Sequence, residues 1–396
     1  MVYCGYQIAA GTRDELPGEE GMAHFCEHMT FKGTRSRNAL QIINGLEQLG
    51  GDLNAFTNKE DTTFYAAIQK EHIAKAVNLL TDIVFNSTYP QHEIDKEVEV
   101  ICDEIESYND SPAELIYDEF ENMLFEGHPL GHNILGQAEQ LRTYKTEDAL
   151  RFVRRNYRPD NAVFFIYGDV NFKWLVKTLS SSGAFAMPPQ DNNGICNAVG
   201  IANPHIKSSC IANAAEQIVK EIGSHQAHVM MGTVGYDIHH PMRIPLYLLN
   251  NILGGPSMNA RLNLALRERN GLVYTVESTM VSYSDTGMWS IYFGCDPHDV
   301  NKCLRLVRRE LDKVMQKPLS ANALKTAKQQ LKGQIAVACD NREQFALDFG
   351  KSFLHYGWEK NVDKLFESID KVTADDIQKV ANELFATDKL KILIFR

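Results

Sequence analysis

No run of apolar residues in this sequence reaches the roughly 18 needed to span a bilayer as a helix. Met1 to Ala10 has no basic stretch followed by an apolar core, so no signal peptide is read there. The eight Cys (Cys4, Cys26, Cys102, Cys196, Cys210, Cys295, Cys303 and Cys339) form no C-x-x-C pair and no zinc-finger spacing. A disulfide scaffold and a Cys-based zinc module are thereby excluded. Scattered thiols in a long chain fit a reducing compartment, so the cytoplasm is the expected location. Basic residues are also short: 40 Lys and Arg against 51 Asp and Glu give a net charge of −11. That balance excludes a nucleic-acid partner, which needs a basic surface.

What remains is ordinary globular material. The chain has 396 residues, 44% hydrophobic and 23% charged, enough for two domains. Val2 to Ala10 reads as a strand. Leu53 to Thr57 and Thr62 to Ile68 read as two strands joined by a polar turn. Lys70 to Phe85 reads as a helix with Ile73, Val77, Leu80 and Val84 on one face. Further helices are read over Ala39–Leu49, from Ser111-Pro112 to about Phe125, and over Thr146–Asn156, with a buried strand at Asn161–Gly168. This order predicts an α+β fold with antiparallel hairpins, not a regular βα alternation. Ser180 to Ser209 changes to Ser, Gly, Pro and Asn, a linker composition. The expected organisation is a domain over 1–182, a linker over 183–212 and a second domain over 213–396.

The stretch that carries chemistry is His24-Phe25-Cys26-Glu27-His28. On a helix, His24 and His28 stand one turn apart on one face, where two imidazoles can grip one divalent metal. Glu27 looks toward the same face and can take a proton from water beside that metal. This is the H-x-x-E-H pattern of the inverzincins. Catalytic zinc takes three protein ligands, so a third is required. His92 to Ser107 reads as a helix with an apolar stripe of Ile94, Val98, Ile101 and Ile105. Glu97 and Glu104 lie two turns apart on another stripe of it. Taken alone, each reads first as an ordinary helix-surface acid. His239-His240 is set aside, because neighbours in extended chain point to opposite faces.

The motif and its surroundings resemble the pitrilysin, insulysin and mitochondrial processing peptidase family, in a two-domain bacterial form. The matching stretches are Ala10-Gly11-Thr12-Arg13, Phe31-Lys32-Gly33-Thr34, Leu53-Asn54-Ala55-Phe56-Thr57, Pro129-Leu130-Gly131 and Ile134-Leu135-Gly136. The resemblance implies that Glu104 is the third zinc ligand and Glu97 an accessory acid that orients a ligand His or the site helix. It implies one zinc per chain, in the first domain only. It also matches Arg267 and Tyr274 to an R-x6-Y element whose side chains reach the bound peptide. Without it, Arg267 reads as a helix-surface Arg and Tyr274 as a half-buried strand residue. Asn54, Ala55 and Phe56 would pair with substrate backbone, as the family's edge strand does. Two departures stand out. Cys26 replaces a more usual aliphatic residue, and the first strand looks shortened or missing.

Two related halves follow from the same resemblance. Leu49-Gly50-Gly51 before Asn54-Ala55 is echoed by Leu253-Gly254-Gly255 before Asn259-Ala260. Each half is expected to be a mostly antiparallel sheet with helices packed on one face. The implied activity is zinc-dependent endoproteolysis of unfolded peptides inside a closed chamber. The implied partner is a second copy or a related chain, forming a homodimer or heterodimer. The alternative is a non-catalytic assembly subunit, which the intact motif argues against.

Overall fold

The computed structural model describes residues 1–181, 215–357 and 361–396, so the linker expected at 183–212 lies outside the described residues. The chain forms two compact units. The first unit holds a four-stranded antiparallel sheet in the order β2-β3-β1-β4. Its strands are β1 (Val2–Ile8), β2 (Asp52–Thr57), β3 (Thr62–Ile68) and β4 (Ala162–Tyr167). Between them in sequence run α1 (Met22–Thr30), α2 (Ala39–Glu47), α3 (Ile73–Asn86) and α4 (Gln91–Asn109), while α5 (Pro112–Leu124), also in that interval, falls in the second unit. β1 pairs on both sides, with β3 and β4. The strand read as buried, β4, is instead a partly buried edge.

Strand alternation decides what each face of this sheet needs. Cys4, Tyr6 and Ile8 of β1 enter the main core with Phe25, Cys26, Phe64, Leu80 and Ile101. Cys26 is fully buried there and acts as a small apolar residue. Ile73, Val77, Leu80 and Val84 of α3 are all buried, as their spacing predicts. The other face carries Tyr3, Tyr65, Phe56 and Phe165, which pack on Ala346 and Leu347 of the helix Arg342–Tyr356. Helices therefore lie on both faces, not one, because the alternate residues of these strands are also apolar. Inward-facing Gln7 donates from Nε2 to the Leu347 carbonyl at 3.0 Å.

The second unit holds a five-stranded sheet in the order β5-β9-β6-β8-β7. Its strands are β5 (Glu216–Lys220), β6 (Ala227–Gly235), β7 (Val273–Ser282), β8 (Gly287–Cys295) and β9 (Lys391–Phe395). Among the described strands only β5 and β9 pair in parallel. On one face, Trp289 stacks at 4.2 Å on Phe385 and donates its indole N–H to Asn250. The other face, with Met230, Met288, Tyr292, Leu393 and Phe395, is covered by Ile116, Phe120 and Leu124 of α5.

Each sheet is thus roofed by a helix from the far part of the chain. The first unit takes Arg342–Tyr356, and the second takes α5. The echo between halves also stops early. Asn54 and Ala55 lie in β2, whereas Asn259 and Ala260 lie in a turn that leads into the helical segment Asn263–Glu268.

Candidate metal centre

The site is built on α1, and the start of α1 is tightly fixed. Gly21 precedes the helix with φ of +85°, a left-handed conformation that favours glycine. It touches Gly136, also left-handed at φ +73°, so closely that a Cβ on Gly136 would lie 2.6 Å from the Glu20 carbonyl. The buried Glu15 carboxylate accepts from the backbone N–H of Gly21 at 3.0 Å and of Ala23 at 2.8 Å. It thereby satisfies N–H groups that a helix start leaves unpaired. His132 holds the same carboxylate at 2.9 Å.

From this base α1 presents His24, Glu27 and His28. The two imidazole rings stand 4.6 Å apart, with His24 only 8% exposed. α4 lies alongside, its Ile94, Val98 and Ile101 buried. Glu104 of α4 faces both rings: its oxygens lie 3.8 Å from His24 Nε2 and 3.5 Å from His28 Nε2. One ligand atom from each of His24, His28 and Glu104 falls within 4.8 Å of the others. Zinc with tetrahedral bonds of about 2.0–2.1 Å needs ligand edges of about 3.4 Å. Two nitrogens, one oxygen and these separations fit that ion.

The electrostatics of the pair are unequal. Burial, then the neighbouring His28, lowers the His24 pKa to about 4. His28 is raised to about 9: burial opposes this, but hydrogen bonds to Glu104 and Glu97 win. Two imidazoles this close do not both hold a proton. Glu97 accepts at 3.0 Å from His28 Nδ1, the nitrogen turned away from Glu104, and pairs at 2.5 Å with Lys32. Despite burial, those two partners keep Glu97 below the usual carboxylate range. Glu27 is 9% exposed, and burial pushes its pKa up, opposed by a hydrogen bond from the Thr57 hydroxyl at 2.6 Å.

Thr57 ends β2, the edge strand. Asn54, Ala55 and Phe56 pair inward with Tyr65, Phe64 and Thr63. Among the described strands none pairs with the outer side of β2. Arg267 and Tyr274 belong to the second unit, where the guanidinium lies 5.6 Å from the phenol ring. Arg267 sits on the π-helical segment Asn263–Glu268. Tyr274 sits at an irregularity in β7 and is 83% exposed, where a half-buried strand residue would have been the plainer reading. His240 stacks on Tyr236 at 4.1 Å. Thr57, Lys32 and Glu15 escaped the sequence reading as site residues. Lys32 and Thr57 lay inside matching stretches, but no spacing rule pointed to their partners.

Residues 1–138 match the family described as Insulinase (Peptidase family M16), and residues 144–331 match the Peptidase M16 inactive domain. The chain belongs to peptidase family M16. It is 30% identical to the uncharacterized zinc protease YmxG of Bacillus subtilis, over 99% of this chain and 92% of that protein. It is 32% identical to an uncharacterized zinc protease of Rickettsia felis, over 95% and 88% of the two chains. In fold it is similar to a peptidase M16 inactive domain from Pseudomonas fluorescens, with a TM-score of 0.87, 20% identity and coverage of 100% and 92%. A protease from Helicobacter pylori gives a TM-score of 0.87 at 18% identity, with coverage of 100% and 93%. The M16 relatives that carry zinc in their names accord with the donor set of His24, His28 and Glu104. No described helix is long and apolar enough to cross a membrane.

Proposed function

We propose that this M16 chain is a zinc-dependent endopeptidase that cleaves unfolded peptides. The observation that carries the reading is the convergence of His24, His28 and Glu104, with the buried Glu27 on the same helix. His24, His28 and Glu104 would hold one zinc per chain, which when bound would supply Lewis-acid activation of water and of the scissile carbonyl. Glu27 takes the proton of the attacking water on one carboxylate oxygen and delivers it to the leaving amine. The Thr57 hydroxyl occupies the other oxygen and fixes the angle of the carboxylate. Glu97 holds the His28 ring through Nδ1.

The open edge of β2 takes the substrate as an added strand along Asn54, Ala55 and Phe56. Backbone pairing selects extended peptides more than particular sequences. Arg267 binds substrate carbonyl or carboxylate groups through directed N–H bonds. The Tyr274 hydroxyl donates to the oxyanion that develops on the scissile carbon. Two chains, identical or related, pair to enclose the substrate in a chamber, and one chain supplies Arg267 and Tyr274 to the other's zinc.

Metal content and hydrolysis of a mixed unfolded-peptide library test the core of this reading together. Glu27→Gln keeps zinc and loses about 10²–10⁴-fold in rate. Glu104→Ala loses zinc itself, and chelator removes activity from the parent. A Glu27→Gln chain that cleaves like the parent overturns the mechanism. Assembly is tested by mixing Glu27→Gln chains with Arg267→Ala chains, each inactive alone. Recovered activity supports shared sites, and a fully active monomer refutes them.

A further inference from the structure

α4 offers two carboxylates on one stripe, Glu97 and Glu104, yet they meet His28 at different nitrogens. Glu104 lies against Nε2, and its side chain is 45% exposed. Glu97 lies against Nδ1, and its side chain is 10% exposed. Both Glu97 oxygens are in use: Oε1 meets His28 Nδ1 at 3.0 Å and Oε2 meets Lys32 Nζ at 2.5 Å. Lys32 lies just past the end of α1, where its backbone N–H still bonds the Met29 carbonyl at 3.1 Å. The same short element therefore carries the ring and the cation that pins the carboxylate behind it.

We infer that Lys32 is a positioning residue that decides which α4 carboxylate serves as a metal ligand. By occupying Oε2 it holds Glu97 behind the His28 ring and leaves the metal-facing side to Glu104. A buried carboxylate stripped of its cationic partner is costly unless it finds another. Without Lys32, the metal that His28 would hold is the cation left for Glu97 to seek. Glu97 then turns toward it, frees the His28 ring, and adds an oxygen to the donor set. This inference rests on the zinc reading above.

The test loads the full chain with Co²⁺, whose visible absorption weakens when four ligands become five, and measures Zn²⁺ affinity against a chelating dye. Lys32→Met is expected to change the Co²⁺ spectrum and to shift Zn²⁺ affinity about 10–100-fold. Lys32→Arg is expected to stay close to the parent. Lys32 acts through Glu97, so Lys32→Met added to Glu97→Gln is expected to change nothing further. Unchanged spectrum and affinity in Lys32→Met overturn the inference. An equal Lys32→Met effect in the Glu97→Gln background also overturns it, and that comparison serves if the single variant folds poorly. A parent chain that binds neither ion defeats the zinc reading itself, a separate outcome.

Discussion

Thr57 reaches Glu27 from another element, and that single hydrogen bond joins the edge strand to the carboxylate assigned to proton transfer. A hydrogen bond to a charged acceptor contributes about 1.5–3 kcal/mol. Thr57→Val, nearly the same shape, is therefore expected to lower kcat about 10–100-fold. KM, zinc content and thermal stability should stay near the parent, and Thr57→Ser should restore kcat. A fall in KM-derived affinity with kcat intact would mean that Thr57 serves the substrate and not Glu27. The contrast with His24 and His28 explains what was legible in the sequence. Their juxtaposition is fixed by the helical period alone. Thr57 meets Glu27 only because the register of β2 on β3 brings the end of that strand to α1, and no local rule encodes that register. Glu104 was one of two candidates until resemblance separated it from Glu97. The geometry places the two acids on different nitrogens of one ring.

α1 depends on its first turn, and the turn depends on two glycines in contact. In Gly136→Ala the new methyl group meets the Glu20 carbonyl and the Gly21 Cα in a left-handed conformation. Strain of this kind costs about 1–3 kcal/mol. The expected result is a lower melting temperature together with weaker Zn²⁺ binding, since His24 and His28 ride on that helix. Normal zinc affinity in a clearly destabilised variant would show that α1 does not feel the turn. The helix Arg342–Tyr356 is tied down differently. Lys351, at 2.8 Å, and His355, at 3.3 Å, both face Asp61, whose side chain is 1% exposed. Although burial opposes it, Lys351 and then His355 hold the Asp61 carboxyl well below its ordinary value of 3.8. A lowered carboxylate stabilises the fold above its unfolded pKa, and that stability drains as pH falls below it. The urea concentration needed to unfold the parent is expected to fall from about pH 4 downward. Asp61→Asn should cost about 3 kcal/mol near pH 7 and flatten that acid slope. A parent-like acid slope in Asp61→Asn would assign the effect to other groups. At this scale the sequence was readable where apolar period was strong, as in α3, and silent for β5. In Glu-Gln-Ile-Val-Lys no residue is buried, so the strand is set by pairing with β9 and not by its own pattern.

Across the whole molecule, the reciprocal loan of helices makes the two units interdependent. Residues 1–182 expressed alone lack Arg342–Tyr356, so Phe56, Tyr65 and Phe165 lose their cover. Residues 213–396 alone lack α5, so Met230, Met288, Tyr292, Leu393 and Phe395 lose theirs. Each fragment is expected to bind a hydrophobic dye and to aggregate, and a soluble, dye-silent, cooperatively melting fragment would refute this. The same loan has a consequence in time. During synthesis the chain emerges from its N-terminus at about 5–20 residues per second. The strands of the first sheet are all made by Tyr167, but the helix that roofs them comes at Arg342–Tyr356. α5 is made before any strand of the sheet it covers, and β9 follows it by about 15–50 s at that rate. Until β6 and β8 are made, Ile116, Phe120 and Leu124 have no sheet to rest on, and until Tyr356 is made the first sheet has one bare face. Vectorial folding, domain by domain, is closed to this chain: the nascent protein must be kept from aggregating until its C-terminal segment has left the ribosome.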